Sequence, residues 1–208
     1  MNMSTRAFTP NIKIEHVISF SDAVFAFAIT LMAISIDIPD LPSDLSQSQL
    51  LEKLRDIYPQ IEDYIISFAV IAIFWISYHQ VFNHIKGSPI SMVYLNLLFL
   101  LFITLLSLTT SFVINYGSYQ ISYILYCVVV IVTSSLLVLI WQYATKDHRL
   151  VDKNMDPLFI KGTFFLLLSI PIIFGISIII SFIDLAIAQY FWLGLIPFNV
   201  LIRYKYKH

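Results

Sequence analysis

The stretch ISFSDAVFAFAITLMAI, residues 18–34, is an apolar run with a single carboxylate, Asp22, near its start. About 20 such residues in a helix are enough to cross the roughly 30 Å hydrocarbon core of a bilayer. A charge inside a bilayer costs about 2.5–3.5 kcal/mol on insertion scales, so residues of this kind usually have a partner or a function. The stretch therefore predicts a membrane-spanning helix in which Asp22 has a specific role.

The composition of the whole chain is that of an integral membrane protein. The 208 residues are 59% hydrophobic and only 12% charged. The mean hydropathy of +0.83 lies far above that of soluble domains. We predict an all-α polytopic protein, a single transmembrane domain over residues 1–208 with no separate soluble domain. Its six predicted spans cover about 17–38, 62–83, 90–115, 119–144, 158–182 and 184–203.

The connection between the first two spans contains the pattern of a short amphipathic helix. In SQSQLLEKLRDI, residues 46–57, apolar side chains recur on one helical face. Prolines at positions 39, 42 and 59 bracket this segment. We therefore predict a separate helix that lies at the membrane surface and ends before Pro59.

The lysines and arginines are distributed unevenly between the two ends of the predicted spans. If six spans alternate in direction, ten of the 12 basic residues fall on one side and two, Lys53 and Arg55, on the other. Cytoplasmic loops carry the positive excess, so both termini are predicted to be cytoplasmic. The ten are Arg6, Lys13, Lys86, Lys146, Arg149, Lys153, Lys161, Arg203, Lys205 and Lys207.

Motifs of enzymes, cofactor sites and metal sites are missing from the sequence. It contains no HEXXH, no phosphate-binding loop, no nucleophile elbow and no Cys-x-x-Cys pair. The five histidines do not share a metal-ligand spacing on one helical face. We predict neither an enzyme nor a cofactor or metal, and no nucleic-acid partner. A TVGYG-like potassium filter is also missing, so side chains must line any ion path.

One stripe of the first span is a candidate for such a path. Its residues fall at helical spacing, and a neighbouring stripe with Asp22 carries the small Ala26 and Ala33. Two interpretations remain open, because an apolar stripe suits helix packing as well as a pore. The stripe consists of Ala23, Phe27, Thr30, Leu31, Ile34 and Ile38.

Polar residues of the next two spans are the predicted partners of Asp22. Trp75 and His79 are four residues apart on one face of span two, and Asn96 lies near the start of span three. With Ser21 and Asp22 they are expected to share one layer near the cytoplasmic side. A structural polar cluster and a gating role are both compatible with this arrangement.

These residues carry a resemblance to a known family. Phe20-Ser21-Asp22 and the AVFAFAITLM that follows look like the signature of the transmembrane protein 175 family. WISYHQVF, with Trp75 and His79, and LNLLFLLF at 95–102 are similar to that family's second and third spans. The resemblance implies a potassium-permeable cation channel, a homotetramer in bacteria, whose first span lines the pore. Carried over to this sequence, the constriction is formed by Phe27, Leu31 and Ile34.

The sequence departs from the family pattern at two positions. His16 stands where the family usually has arginine, and Phe27 stands where the innermost constriction residue is usually isoleucine. Because histidine can change its charge near neutral pH, His16 is a candidate pH-sensitive position.

We therefore predict a potassium channel with a hydrophobic side-chain constriction in a bacterial plasma membrane. Its expected partners are potassium ions, the lipid bilayer and further copies of itself. A proton-coupled secondary cation transporter is the main alternative, for which Pro171 in span five hints at a broken helix. A non-conducting membrane scaffold is the third.

Overall fold

A computed structural model describes residues 12–36 and 46–205, apart from the side chain of Arg203. Ile38 of the predicted stripe, Pro39 and Pro42 lie outside the described residues, as do the basic Arg6 and Lys207.

Within the described residues the chain forms seven α-helices. Six helical segments are long and apolar enough to cross a membrane. The prediction of an all-α protein with six membrane-length helical segments is confirmed. The helices are α1 (Ile14–Ala33), α2 (Gln47–Phe82), α3 (Ile90–Tyr116), α4 (Gln120–Thr145), α5 (Pro157–Ser181), α6 (Leu185–Phe191) and α7 (Leu195–Lys205).

Helix α2 is longer than predicted. Its start is fixed by a capping box, in which the Ser46 hydroxyl accepts from the backbone N–H of Gln49 while the Gln49 side chain accepts from the backbone N–H of Ser46. The helix then runs without interruption through Pro59. The prediction of a separate surface helix that ends before Pro59 is therefore wrong. Proline removes one backbone hydrogen bond, and the apolar sequence on its C-terminal side continues the helix.

The last two predicted spans differ from each other in continuity. Helix α5 begins at Pro157, which suits the first helical position, and continues through Pro171. Pro171 thus does not break the helix as the transporter alternative requires. The sixth span is instead interrupted, because a 3₁₀ turn at Trp192–Gly194 separates α6 from α7.

The helices pack in a sequential order around α3 and α4. Helix α3 contacts α1, α2 and α4, while α5 packs on α4 and carries α6 and α7 on its other side. Helix α1 therefore lies at the edge of the bundle, with one face on α2 and α3 and the opposite face uncovered.

The loops that follow α2 and α4 meet at the same end of the bundle as the start of α1. The backbone N–H of Lys86 donates to the carbonyl of Leu150, at 2.7 Å, and the Ser88 hydroxyl donates to the carbonyl of Ile12. The ammonium of Lys86 pairs with Asp152 and holds the pKa of that carboxyl below its usual value. Most of the basic residues therefore belong to segments gathered at one end, which we call the basic end.

Candidate functional site

Asp22 binds two donors from α2. Its Oδ1 accepts from the indole N–H of Trp75 at 2.9 Å and lies 2.8 Å from Nε2 of His79. The two rings are one helical turn apart and contact each other edge to face, with centroids at 4.6 Å. The Asp22 side chain is nonetheless 43% exposed, and that of Trp75 is similarly open. The pair of donors therefore fixes the carboxylate without enclosing it.

Ser21 is the centre of a second, fully buried group. Its hydroxyl accepts from the Tyr78 hydroxyl at 2.8 Å and from Nδ2 of Asn96 at 3.1 Å. It donates to the carbonyl of Val17 at 2.8 Å, one turn back on α1. One serine thus joins α1 to α2 and α3, while its neighbour Asp22 holds α2 from the more open side.

An aromatic layer surrounds the Ser21 group. The ring of Tyr78 stacks on Phe82, with centroids at 4.1 Å, and on Phe99, at 5.7 Å. Phe25 of α1 packs against Tyr78 and Phe99. All four side chains are essentially inaccessible to solvent. Water is therefore excluded from the hydrogen bonds of Ser21, and an unpaired donor there would be costly.

The structure brings together five of the six residues of the predicted motif and polar cluster. They form two adjoining groups, Asp22 with Trp75 and His79, and Ser21 with Asn96. Phe20, the sixth, lies on the exposed side of α1. Tyr78 was missed because its position between Trp75 and His79 marks it only as one more aromatic residue of an apolar span.

Three polar contacts fasten α1 to α3 along its length. Beyond the Ser21 bond, the Ser107 hydroxyl donates to the carbonyl of Ala28 at 2.8 Å, and Ser35 contacts Ser111. Ser21 and Ala28 belong to α1, where their seven-residue spacing places them on one helical face, and Ser35 follows seven residues later, just beyond the end of the helix. This series, which we call the α1–α3 ladder, was not predicted, although the seven-residue spacing was visible in the sequence.

The face of α1 opposite the ladder carries the predicted constriction residues. Phe27 is 61% exposed, Leu31 39% and Ile34 78%. Leu31 lies within the last turn of α1, and Ile34 is the residue that ends it. The small residues Ala23 and Ala26, which precede Phe27 on the helix, are exposed as well. No other described helix covers this face.

His16 lies in the first turn of α1, exposed at the basic end. It lines a surface pocket of about 590 Å³ together with Lys13, Lys86 and Ser88. The hydrogen bonds to Asp22 come from Trp75 and His79 instead. In the described part of the chain, no cluster of three or more potential ligand side chains could hold a metal ion.

Comparison with known proteins assigns these features to a family. Residues 16–107 match the family described as "Endosomal/lysosomal potassium channel TMEM175". Over this segment the chain matches the TMEM175 family. The matched segment runs from the first turn of α1 to Ser107 and contains every candidate site residue. The match to a channel family confirms the prediction that the chain is not an enzyme.

Similar proteins come from bacteria and mammals. A Streptomyces collinus protein named as a potassium channel is 29% identical over 144 residues, which is 66% of this chain and 68% of the relative. The mouse endosomal/lysosomal proton channel TMEM175 is 34% identical over 95 residues, 43% of this chain and 19% of the mouse protein.

A solved structure shares the fold. The crystal structure described as a lysosomal potassium-selective channel TMEM175 homolog from Chamaesiphon minutus superposes with a TM-score of 0.74 at 19% identity. The match covers 94% of this chain and 98% of that one. The resemblance in fold therefore extends to the helices beyond residue 107. With six helical segments of membrane-spanning length and a match to a channel family, the chain is an integral membrane protein.

Proposed function

We propose that the chain is a potassium-permeable cation channel that assembles as a homotetramer with α1 lining the pore. In this proposal Phe27, Leu31 and Ile34 form a hydrophobic constriction, and no carbonyl filter motif is used. The bacterial relatives that are named as potassium channels support the choice of ion.

The half-exposed carboxylate of Asp22 is the observation that carries the proposal. It lies on the edge of the bundle, in the first half of a helix that is long and apolar enough to cross a membrane. A carboxylate that faces lipid is expensive, whereas one that faces protein or a water-filled cavity is tolerated. A further copy of the chain, or an aqueous path, is therefore expected to cover this side. An assembly around α1 provides both.

The spacing of the three large side chains suits a constriction. Positions 27, 31 and 34 differ by four and three residues, so they stack on one helical face over about 10 Å at 1.5 Å per residue. Four copies would form three successive apolar rings. Such rings offer no ligands to replace an ion's hydration shell, so they gate by dewetting and select modestly.

The orientation and location form part of the proposal. The basic end gathers Lys13, Lys86 and the loop that follows α4. We therefore place this end on the cytoplasmic side of a bacterial plasma membrane, with both termini in the cytoplasm.

The decisive experiment records potassium and sodium reversal potentials for Leu31→Ser and Phe27→Ala. Polarising or widening a ring favours wetting, so both variants should conduct more and admit more sodium. Leu139→Ser on α4 is the matched control, because Leu139 is similarly exposed at 49% but lies on another helix. If both α1 variants keep the wild-type conductance and selectivity, α1 does not line the ion pathway.

A liposome flux assay separates the channel from the two alternatives. With internal and external pH clamped, a channel carries potassium down its gradient alone. A proton-coupled transporter requires a proton gradient, and a scaffold gives no flux above empty liposomes. Valinomycin provides the positive control for trapped potassium.

The proposal keeps His16 as a pH-sensitive position. A change of charge on an exposed histidine at the start of α1 alters the electrostatic potential that a permeating cation meets. Wild type and His16→Arg, which is always charged, should therefore differ in their current ratio between cytoplasmic pH 5.5 and 8. Identical ratios would show that the residue has no such effect.

A further inference from the structure

A second polar site lies at the end of the bundle opposite the basic end. A cleft of about 470 Å³ opens there between α2, the end of α3 and α6. Glu62 and Asp63 of α2 both line it, and the Glu62 carboxylate accepts from the Tyr190 hydroxyl of α6. We call this space the Asp63 cleft.

The charge of Asp63 has no cationic partner among the residues that the structure describes. Its Oδ2 lies beside Gly117, where a Cβ atom would be 3.6 Å away. Gly117 follows the last residue of α3, so the carboxylate faces the helix end that carries unpaired carbonyls and the negative end of the dipole. Lys53, which lies ten residues earlier on α2, is paired with Asp56. The negative charge in the cleft is therefore not compensated from within this part of the chain.

An independent observation lies at the inner end of the same cleft. Asp63, Tyr126 and Trp192 line a narrow space of about 20 Å³, which shares the lining residues Asp63 and Gln189 with the cleft. The Tyr126 side chain is only 5% exposed, and its hydroxyl has no hydrogen-bond partner of normal geometry. The indole N–H of Trp192 is also buried and unpaired.

These unpaired groups point to an occupied polar cavity. Buried polar groups without partners are costly, and a space of 20 Å³ with several polar walls suits one water molecule. A water molecule there would have the buried Trp192 N–H, the Tyr126 hydroxyl and the Asp63 side chain among its walls. The outer part of the cleft then presents a positioned carboxylate above apolar walls from Ile66, Val113 and Leu185.

We infer that the Asp63 cleft binds a small organic ammonium ion, whose charge pairs with Asp63 and whose apolar part lies against Ile66 and Leu185. The cleft volume falls in the range of small-molecule sites, which combine apolar walls with a few positioned polar groups. A metal ion fits less well, because no third acidic or histidine ligand joins the two carboxylates within the described residues. The site is separate from the exposed face of α1 and does not depend on the proposed pore.

The test is a titration of the full-length protein in phosphatidylcholine nanodiscs with 2-phenylethylammonium, using 2-phenylethanol as the uncharged analogue. Saturable binding of the ammonium, at least tenfold tighter than that of the alcohol, is expected. Binding should also change the tryptophan emission of the wild type, and the change should be lost in Trp192→Phe, since Trp192 lines the narrow space that shares Asp63 with the cleft.

Asp63→Asn should weaken ammonium binding at least tenfold, while Asp56→Asn, an exposed acidic residue on the same helix, should leave it unchanged. Ala186→Trp places a bulky ring at the exposed rim of the cleft and should block binding without altering any charge, which keeps the test valid if Asp63→Asn does not fold. Equal affinity for the ammonium and the alcohol, or unaltered ammonium binding in Ala186→Trp, would overturn the inference.

Discussion

Ser21 uses its full hydrogen-bonding capacity in the core of the bundle. Its oxygen accepts two bonds, from Tyr78 and Asn96, and its proton goes to the carbonyl of Val17. Asp22, next along the chain, accepts two donors on one oxygen and stays half exposed. The two adjacent residues thus have different roles. Ser21 joins three helices, and Asp22 binds α2 on the more exposed side.

Replacing Ser21 by alanine should destabilise the protein by about 1–3 kcal/mol, because the donors of Tyr78 and Asn96 would be left unpaired in a water-free layer. The free energy of unfolding can be measured in mixed micelles with a denaturing detergent. Ser91→Ala is the matched control, since the Ser91 hydroxyl contacts Tyr143 at an exposed position. Equal stability of the two variants would mean that the buried bonds contribute little.

At the scale of the helix, hydropathy predicted the number and order of the spans but not their continuity. The period and length of an apolar run determine that a helix crosses the bilayer. They do not determine whether a proline ends it, and the helices continue through both Pro59 and Pro171. The α1–α3 ladder also escaped prediction, because a bond from the Ser107 hydroxyl to a backbone carbonyl depends on which helical faces meet.

The continuity of α5 gives an element-scale prediction. A proline inside a helix costs stability through its missing N–H and its ring clash, so Pro171→Ala should raise the unfolding temperature or leave it unchanged. Potassium flux should stay at the wild-type level, because an unbroken helix is not a hinge. Flux and unfolding temperature would be measured on the same purified preparation. Loss of flux with an intact fold would instead favour a transporter hinge at Pro171.

At the scale of the whole molecule, the order of packing leaves α1 incomplete. It is fastened to α3 on one face by the ladder, and its other face presents Phe27 and Ile34 to the surroundings. Between α4, α5 and α6, by contrast, the buried Tyr123 hydroxyl bonds to the Ser177 hydroxyl and to the carbonyl of Ala188. The chain thus pairs these polar groups within its own core, whereas one side of α1 is left exposed.

The length of α2 provides a labelling position from which the number of subunits can be measured. Its 36 residues extend about 54 Å at 1.5 Å per residue, well beyond the roughly 30 Å of hydrocarbon, and its first turns are fully exposed. The single cysteine, Cys127, is buried. In the variant Glu52→Cys, a thiol-reactive spin label would therefore attach at position 52. Four-fold symmetry predicts two label-to-label distances, related as the side and diagonal of a square, whereas a dimer gives one. Because the first turns of α2 are exposed, a label there converts the number of subunits into distances that pulsed electron paramagnetic resonance can measure.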